Sequence, residues 1–367
     1  MKKNFRQIIY ISELNLPNMS AQALQTLKMC SAFANKKNTK LIVINKLKNF
    51  NFFKKNYLLK NNFIIGGLFK KPKKINFITR LFFFMKLIRS FNFNKNDLII
   101  TRSVIISILL SIYGVKNLLE IHIENTSFTK FFFKTKFLFL KSKNQKFILI
   151  SKNLNSFFKL SKKDHIILDD ASDPNDFKVK DSNPKRNSCI YVGSFFKGKG
   201  LELIIDISKK MPHIKFYLYG KSTPYFENKK KDFSKNIIFG GYVPYYKIPN
   251  LLSKHKVCLM PYARKTFINA DNISNEKYIS PLKLFDYLSS GKVLVASKLE
   301  AYKHLLSDRK NCFLVNPDKS EDWVNILNQI FKNYKKLKRL RLNARHTAKL
   351  YTWNKRAEKI INFAKLK

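Results

Sequence analysis

The stretch Ser280–Ser297, SPLKLFDYLSSGKVLVAS, places a lysine and an aspartate in the first turns of one short helix. Ser280 is expected as the N-cap and Pro281 at the first helical position, where its missing N–H costs nothing. Leu284, Tyr287 and Leu288 follow at helical spacing, and Gly291 stops the helix. Val293-Leu294-Val295-Ala296 then reads as a strand covered on both faces. A helix start just outside the C-terminal edge of a parallel sheet gathers an anion such as a diphosphate. Lys283 adds a cation to that turn, and Asp286 is placed to accept hydrogen bonds from a ribose.

The elements that must position these groups form two alternating halves. IIYIS (8–12), KLIVIN (40–45), DLIITR (97–102), NLLEIHI (117–123) and KFILIS (146–151) are strand candidates separated by helical or polar segments. Such alternation predicts a parallel α/β sheet. The polar run KVKDSNPKRN, 178–187, suits a linker, and a second alternation runs from Cys189 to about Val315. The domains are therefore expected at 1–177, 178–187 (linker), 188–345 and a terminal helix at 346–367. Seven of the 10 glycines, Gly193, Gly198, Gly200, Gly220, Gly240, Gly241 and Gly291, fall in the second half. Most lie at strand ends, where doubly wound sheets bind ligands and backbone must approach closely.

Composition frames the rest. The 367 residues are ample for two cores. With 72 basic and 23 acidic residues the net charge is +49, spread along nearly the whole chain. Abundant Lys, Asn, Ile and Phe fits an AT-rich genome; the remaining excess favours an anionic partner, a bilayer surface or nucleic acid. Cys30, Cys189, Cys258 and Cys312 lie far apart with no C-x-x-C spacing and read as reduced core residues of a cytosolic protein. The N-terminal apolar run is too short for a secretory signal. The longest, Leu98–Val115, contains Arg102 and reads as strand then helix rather than a membrane span.

The SPLKLFDYL segment resembles the nucleotide-sugar signature of retaining glycosyltransferases of family 4. CIYVGSFFKGKG (189–200), FYLYG (216–220), IIFGGYV (237–243) and VCLMPY (257–262) are similar to the same family in order and spacing. The resemblance implies a GT-B fold: two Rossmann-like domains facing a cleft, with a C-terminal helix, here like YTWNKRAEKIINF (351–363), returning to the first domain. It also implies a donor site of Gly193, Ser194, Lys199, Gly220, Gly241, Val243, Ser280, Pro281, Leu282, Lys283 and Asp286. Lys199 matches the family lysine that pairs with the diphosphate, and cations aimed there stabilise the leaving group. Asp286 matches the second acid of the E-x7-E motif; Tyr278 stands where the first would be, and Ser194 where an arginine is usual.

In the first half, Glu120-Ile121-His122 leaves both polar side chains on one strand face. This is similar to the family's E-x-H, which makes His122 a catalytic candidate beside Lys199 and Asp286; His213 and His255 read as structural. Arg102 ends the preceding strand, and Asn18 and Ser20 lie in LPNMSA (16–21), which resembles the acceptor-side loop. The implied reaction retains anomeric configuration, with the diphosphate accepting the acceptor's proton. No D-x-D run suited to a metal is present, so neither metal nor cofactor is expected.

Phe69–Phe93 and Phe128–Lys146 interleave cations with Phe and Leu, as helices lying in a membrane interface do. Peripheral association with the inner face of a membrane would suit a lipid-linked or glycan acceptor in bacterial envelope assembly. Two other classes stay open: a non-catalytic scaffold of the same fold, and a nucleic-acid-binding protein. No RNP, helix-turn-helix or zinc-finger pattern supports the latter.

Overall fold

Two parallel sheets, each built on the strand order 3-2-1-4-5-6, organise the chain. The computed structural model describes residues 4–46, 49–122, 144–178, 184, 187–265 and 280–366. It divides into two units, Met1–Asp169 with Trp353–Lys367, and Asp170–Thr352.

The first unit holds β1 (Ile8–Ile11), β2 (Thr39–Asn45), β3 (Ile64–Phe69), β4 (Leu98–Thr101), β5 (Asn117–Ile121), β6 (Gln145–Leu149) and β7 (His165–Ile167), in the order β3-β2-β1-β4-β5-β6-β7. Ile8 pairs with Thr39 on one side and Leu98 on the other, both parallel. The chain thus builds outward to β3, returns to the far side of β1, and leaves a topological switch point between β1 and β4. Helices α1 (Ala21–Ala34), α2 (Phe50–Asn56), α3 (Phe77–Ser90), α4 (Val104–Ile112) and α5 (Lys152–Phe158) belong to this unit. The central strands β1 and β4 are buried throughout, as their unbroken apolar runs require.

The second unit repeats the plan with β8 (Ser188–Val192), β9 (Lys215–Tyr219), β10 (Ile237–Phe239), β11 (Val257–Met260), β12 (Val293–Ser297) and β13 (Phe313–Val315), ordered β10-β9-β8-β11-β12-β13. Its switch point lies between β8 and β11. Its helices are α6 (Leu201–Lys210), α7 (Pro224–Lys230), α8 (Ile248–Ser253), α9 (Leu282–Ser290), α10 (Ser320–Asn333) and α11 (Lys338–Leu350). Two apolar layers cover the sheet. Phe216, Leu218, Val293, Val295 and Trp323 lie in one, and Ile190, Met260, Leu284, Leu288 and Leu294 in the other. Each large side chain so buried contributes about 1.5–3 kcal/mol.

Several boundaries differ from the sequence reading. Edge strands β3 and β7 were not expected: Gly66-Gly67 interrupts the first, and the second is only three residues long. Residues 170–177, placed in the first domain by sequence, pack in the second unit. There the Asp170 N–H donates to Ser280 Oγ (3.0 Å), and Phe177 is buried with Ile190 and Leu284. Residues 346–352, expected in the returning helix, continue α11 and its end, with Ala348 buried in the second unit. The final helix, α12 (Trp353–Lys365), packs on α1 in the first unit.

All four cysteines are buried free thiols. No described helix is long and apolar enough to cross a membrane. Most of the 178–187 linker, and Phe128–Lys146 up to residue 143, lie outside the described residues.

Candidate functional site

The C-terminal edge of the second sheet gathers the donor-site candidates. Its floor is backbone: the Gly193 N–H donates to Tyr219 O and the Gly220 N–H to Gly241 O, each at 2.9 Å, so the loops after β8, β9 and β10 lie against one another. Val243 packs on the core beneath, and the Ala263 N–H donates to Gly198 O, joining the KGKG loop to the exit of β11. Gly200 has φ +90°, and a Cβ there would lie 2.0 Å from Pro261 O, so this approach needs glycine.

Two lysines stand over this floor. Lys283 Nζ lies 3.8 Å from the Tyr191 ring centroid and 5.2 Å from that of Tyr262, while Lys199 Nζ lies 4.7 Å from Tyr262. The Lys283 amine is buried and has no hydrogen-bond partner among the described residues. A Cβ on Gly193 would come within 2.2 Å of it, so glycine makes its room. Burial, then the charge of Lys199, push Lys283 well below the usual lysine range; burial brings Lys199 down to about 8. Burial penalises the charge of both amines, and an anion bound beside them would offset that penalty.

Helix α9 presents these groups, with one correction to the sequence reading. Pro281 is itself the N-cap and Leu282 the first helical residue. Ser280 does not cap the helix, because its hydroxyl accepts the Asp170 N–H instead. Gly291 closes the helix in the left-handed region, as expected. Tyr287 OH accepts the Val192 N–H at 2.8 Å, fixing α9 to the end of β8. One turn into the helix, Asp286 is buried and accepts from Tyr245 OH at 3.0 Å. Ser194 is exposed, with its carbonyl accepting from Tyr191 OH at 2.7 Å. Tyr278 lies outside the described residues.

The first unit carries a separate polar cluster. Glu120 is buried and accepts from Tyr10 OH (2.9 Å), Gln25 Nε2 (2.6 Å), Arg356 Nη2 (2.8 Å) and the His122 ring (2.8 Å). Burial opposes its charge, but Arg356, His122 and Arg102 hold the carboxyl well below the usual range. Burial, followed by the charge of Arg102, drives His122 to about 4 against the pull of Glu120. His122 is therefore neutral at pH 7, and its Nε2–H donates to the carboxylate while Nδ1 is left as an acceptor. Arg102 Nη1 donates to Gln25 Oε1 at 2.8 Å, which ties the residue after β4 to the same cluster.

Asn18 and Ser20 have local roles in this unit. Asn18 Oδ1 accepts the Ser20 N–H, and Ser20 Oγ caps α1 by accepting from Ala23. His255 is structural: its Nδ1 lies 2.8 Å from Ser188 Oγ in the core.

Sequence reasoning missed Tyr191, Tyr262 and Tyr245 around the donor-site candidates, and Gln25 and Arg356 around Glu120. Tyr262 was within reach, since it follows Pro261 at a strand end. Arg356 carried no signal among so many basic residues.

The comparisons with known proteins fall on this architecture. Residues 172–347 match the model of the family described as glycosyl transferases group 1. That span is nearly the whole of the second unit and just under half of the chain. No curated protein sequence matches the chain. Among solved structures, HepE from Anabaena in complex with UDP-glucose is 14% identical with a TM-score of 0.72, covering 97% of this chain and 99% of that one. A glycosyltransferase from Rickettsia africae is 14% identical at 0.74, covering 99% of each chain. TarM of S. aureus is 11% identical at 0.75, covering 98% of each. At these identities the likeness establishes the fold, which is GT-B.

Proposed function

We propose that the chain is a retaining glycosyltransferase. In this reading it moves a glycosyl group from a nucleotide sugar to a lipid-linked or polysaccharide acceptor in bacterial envelope assembly, at the inner face of a membrane. The observation that carries it is the pair of buried lysine amines, Lys199 and Lys283, facing Tyr262 at the switch point of the domain that matches the glycosyl transferases group 1 model. Structural neighbours with the same fold are solved with UDP and with UDP-glucose.

In this reading the diphosphate of the donor takes the place of the missing counter-charge. Lys199, Lys283 and the start of α9 stabilise the negative charge that grows as the anomeric C–O bond breaks. The acceptor hydroxyl attacks the same face of the sugar, and its proton passes to the departing diphosphate oxygen. The new glycosidic bond thus keeps the configuration of the old. Asp286, steadied by Tyr245, accepts from the ribose hydroxyls. Neutral His122 is the catalytic candidate of the first unit, oriented by Glu120. Because lysines supply the positive charge, binding is expected without a metal or cofactor.

The test is a calorimetric screen against UDP-, GDP-, ADP- and CMP-sugars, with and without Mg²⁺, using wild type, Lys199→Ala and Asp286→Ala. Saturable binding of one nucleotide class, weakened in both variants, is the expected result. A folded protein that binds none of them is a scaffold or a nucleic-acid binder instead.

A further inference from the structure

We propose that the outer face of α3, with the lysines preceding it, is a docking surface for an anionic lipid bilayer; this rests on the transferase reading for its purpose, since it would bring a lipid-linked acceptor to the chain.

Helix α3 is apolar on two sides. Phe83, Phe84 and Leu87 are buried in the core with Ile42, Ile99 and Ile106. Phe77, Ile78, Leu81, Phe82 and Met85 are exposed, Ile78 by 63% and Phe82 by 61%. Their spacing, i, i+1, i+4, i+5 and i+8, lines one helical face away from the core. A surface helix needs one apolar stripe to fold, so the second is unexplained by folding, and contiguous exposed apolar patches mark interaction sites.

Cations rim this face. Lys70, Lys71, Lys73 and Lys74 are exposed just before the helix, and Lys86 and Arg89 are exposed on it. The arrangement is held in place. Arg80 Nε reaches both oxygens of Glu13, at 2.9 and 3.0 Å, and Ser103 Oγ donates to Glu13 at 2.5 Å. Asn15 brackets the backbone of Lys73, donating to its carbonyl at 2.8 Å and accepting its N–H at 3.1 Å. Glu13 and Asn15 begin the loop that leads from β1 to Asn18 and Ser20. The basic run and α3 are therefore fastened to the loop that carries the acceptor-side candidates.

A bilayer satisfies both parts of this surface: the apolar face enters the headgroup boundary, and each cation contributes about 1 kcal/mol against anionic lipid. A second copy would bring two cationic rims of a chain with net charge +49 together. Nucleic acid would match the lysines but leave the phenylalanines in water.

The test is co-sedimentation of the full chain with phosphatidylglycerol–phosphatidylcholine vesicles and with pure phosphatidylcholine, at low and high salt. Wild type is expected to bind the anionic vesicles only, less at high salt. Ile78→Ser/Phe82→Ser, both at exposed positions, should lower partitioning at least about tenfold with an unchanged melting temperature. Lys70, Lys71, Lys73 and Lys74 all changed to Gln should lower it and flatten the salt dependence. Unchanged partitioning in the double serine variant overturns the proposal. So does a concentration-dependent dimer, or oligonucleotide binding, that the same variant abolishes. Nucleotide-sugar binding measured on the same proteins separates the two readings. Donor binding without vesicle binding removes only the docking surface, and vesicle binding without donor binding removes only the transferase.

Discussion

Arg356 of the last helix and Glu120 of β5, 236 positions apart in the chain, meet at 2.8 Å inside the first unit. Their side chains are 3% and 1% exposed. Arg356 also donates through Nε to Asp169 O at 2.9 Å, so its guanidinium is fixed at both edges. The pair anchors α12 to the sheet and keeps charged the carboxylate to which His122 donates.

Breaking this pair should be costly. Arg356→Gln leaves a buried carboxylate with one cation fewer, which typically costs about 3–5 kcal/mol. The urea midpoint should fall accordingly, and Glu120→Gln added to Arg356→Gln should recover part of the loss. If the double variant is no more stable than the single one, the charge is not what holds α12 in place.

The same cluster sets a pH window for stability. His122 has a folded pKa of about 4, below its ordinary 6.5, so between those values the unfolded chain binds more protons than the folded one. Stability is therefore full above about pH 6.5 and declines as pH falls toward 4, by up to about 3 kcal/mol. Glu120 adds to this, because a carboxyl held well below the ordinary 4.5 stabilises above that value and loses its contribution in stronger acid. Urea titrations at pH 6.5 and 4.5 should show the decline in wild type and a smaller one in His122→Asn. Parallel curves would place the titration elsewhere.

How much of this was legible depended on whether local pattern or distant contact decides the outcome. The inner strands announced themselves by unbroken apolar runs, and α9 with its Gly291 stop by helical spacing. The Ser280 cap misled because the local rule was right but the hydroxyl had a distant competitor, the Asp170 N–H. Edge strand β3, less buried and broken by two glycines, lacked the contrast that marks β1. Lys199 and Lys283 stood out through motif position. Their tyrosine surroundings did not, because Tyr191, inside β8, and Tyr262, just past β11, are distant in sequence and ordinary in their own segments.

Anion binding to the lysine pair should take up protons. Lys199 is held near 8, and Lys283 well below the ordinary 10.5, because burial penalises their charge. A diphosphate reverses that penalty and raises both, so protons enter with the ligand. Affinity should fall as pH rises through 8 in the free protein. Calorimetry with the bound nucleotide in two buffers of different ionisation enthalpy should give heats that differ at pH 8. Identical heats would mean that neither lysine changes protonation. Lys199→Ala and Lys283→Ala should each weaken binding roughly 10- to 100-fold, the range of a charge-assisted hydrogen bond.

Two glycines should differ in what they do to nucleotide binding. At Gly200 an added Cβ meets backbone, Pro261 O at 2.0 Å, with φ at +90°. Backbone yields little, so Gly200→Ala should lower the melting temperature clearly, the strain alone amounting to about 1–3 kcal/mol. At Gly193 φ is +154°, so alanine is strained there too, but its Cβ meets the far end of a flexible side chain, Lys283 Nζ at 2.2 Å, which can swing away. Gly193→Ala should therefore also lower the melting temperature, through backbone strain, and in addition displace the Lys283 amine from beside Tyr191 and Tyr262. Nucleotide affinity should fall about as far as in Lys283→Ala, and the two substitutions combined should cost little more than either alone. Additive losses in that cycle would show that Gly193 acts on the site by some route other than the placement of Lys283.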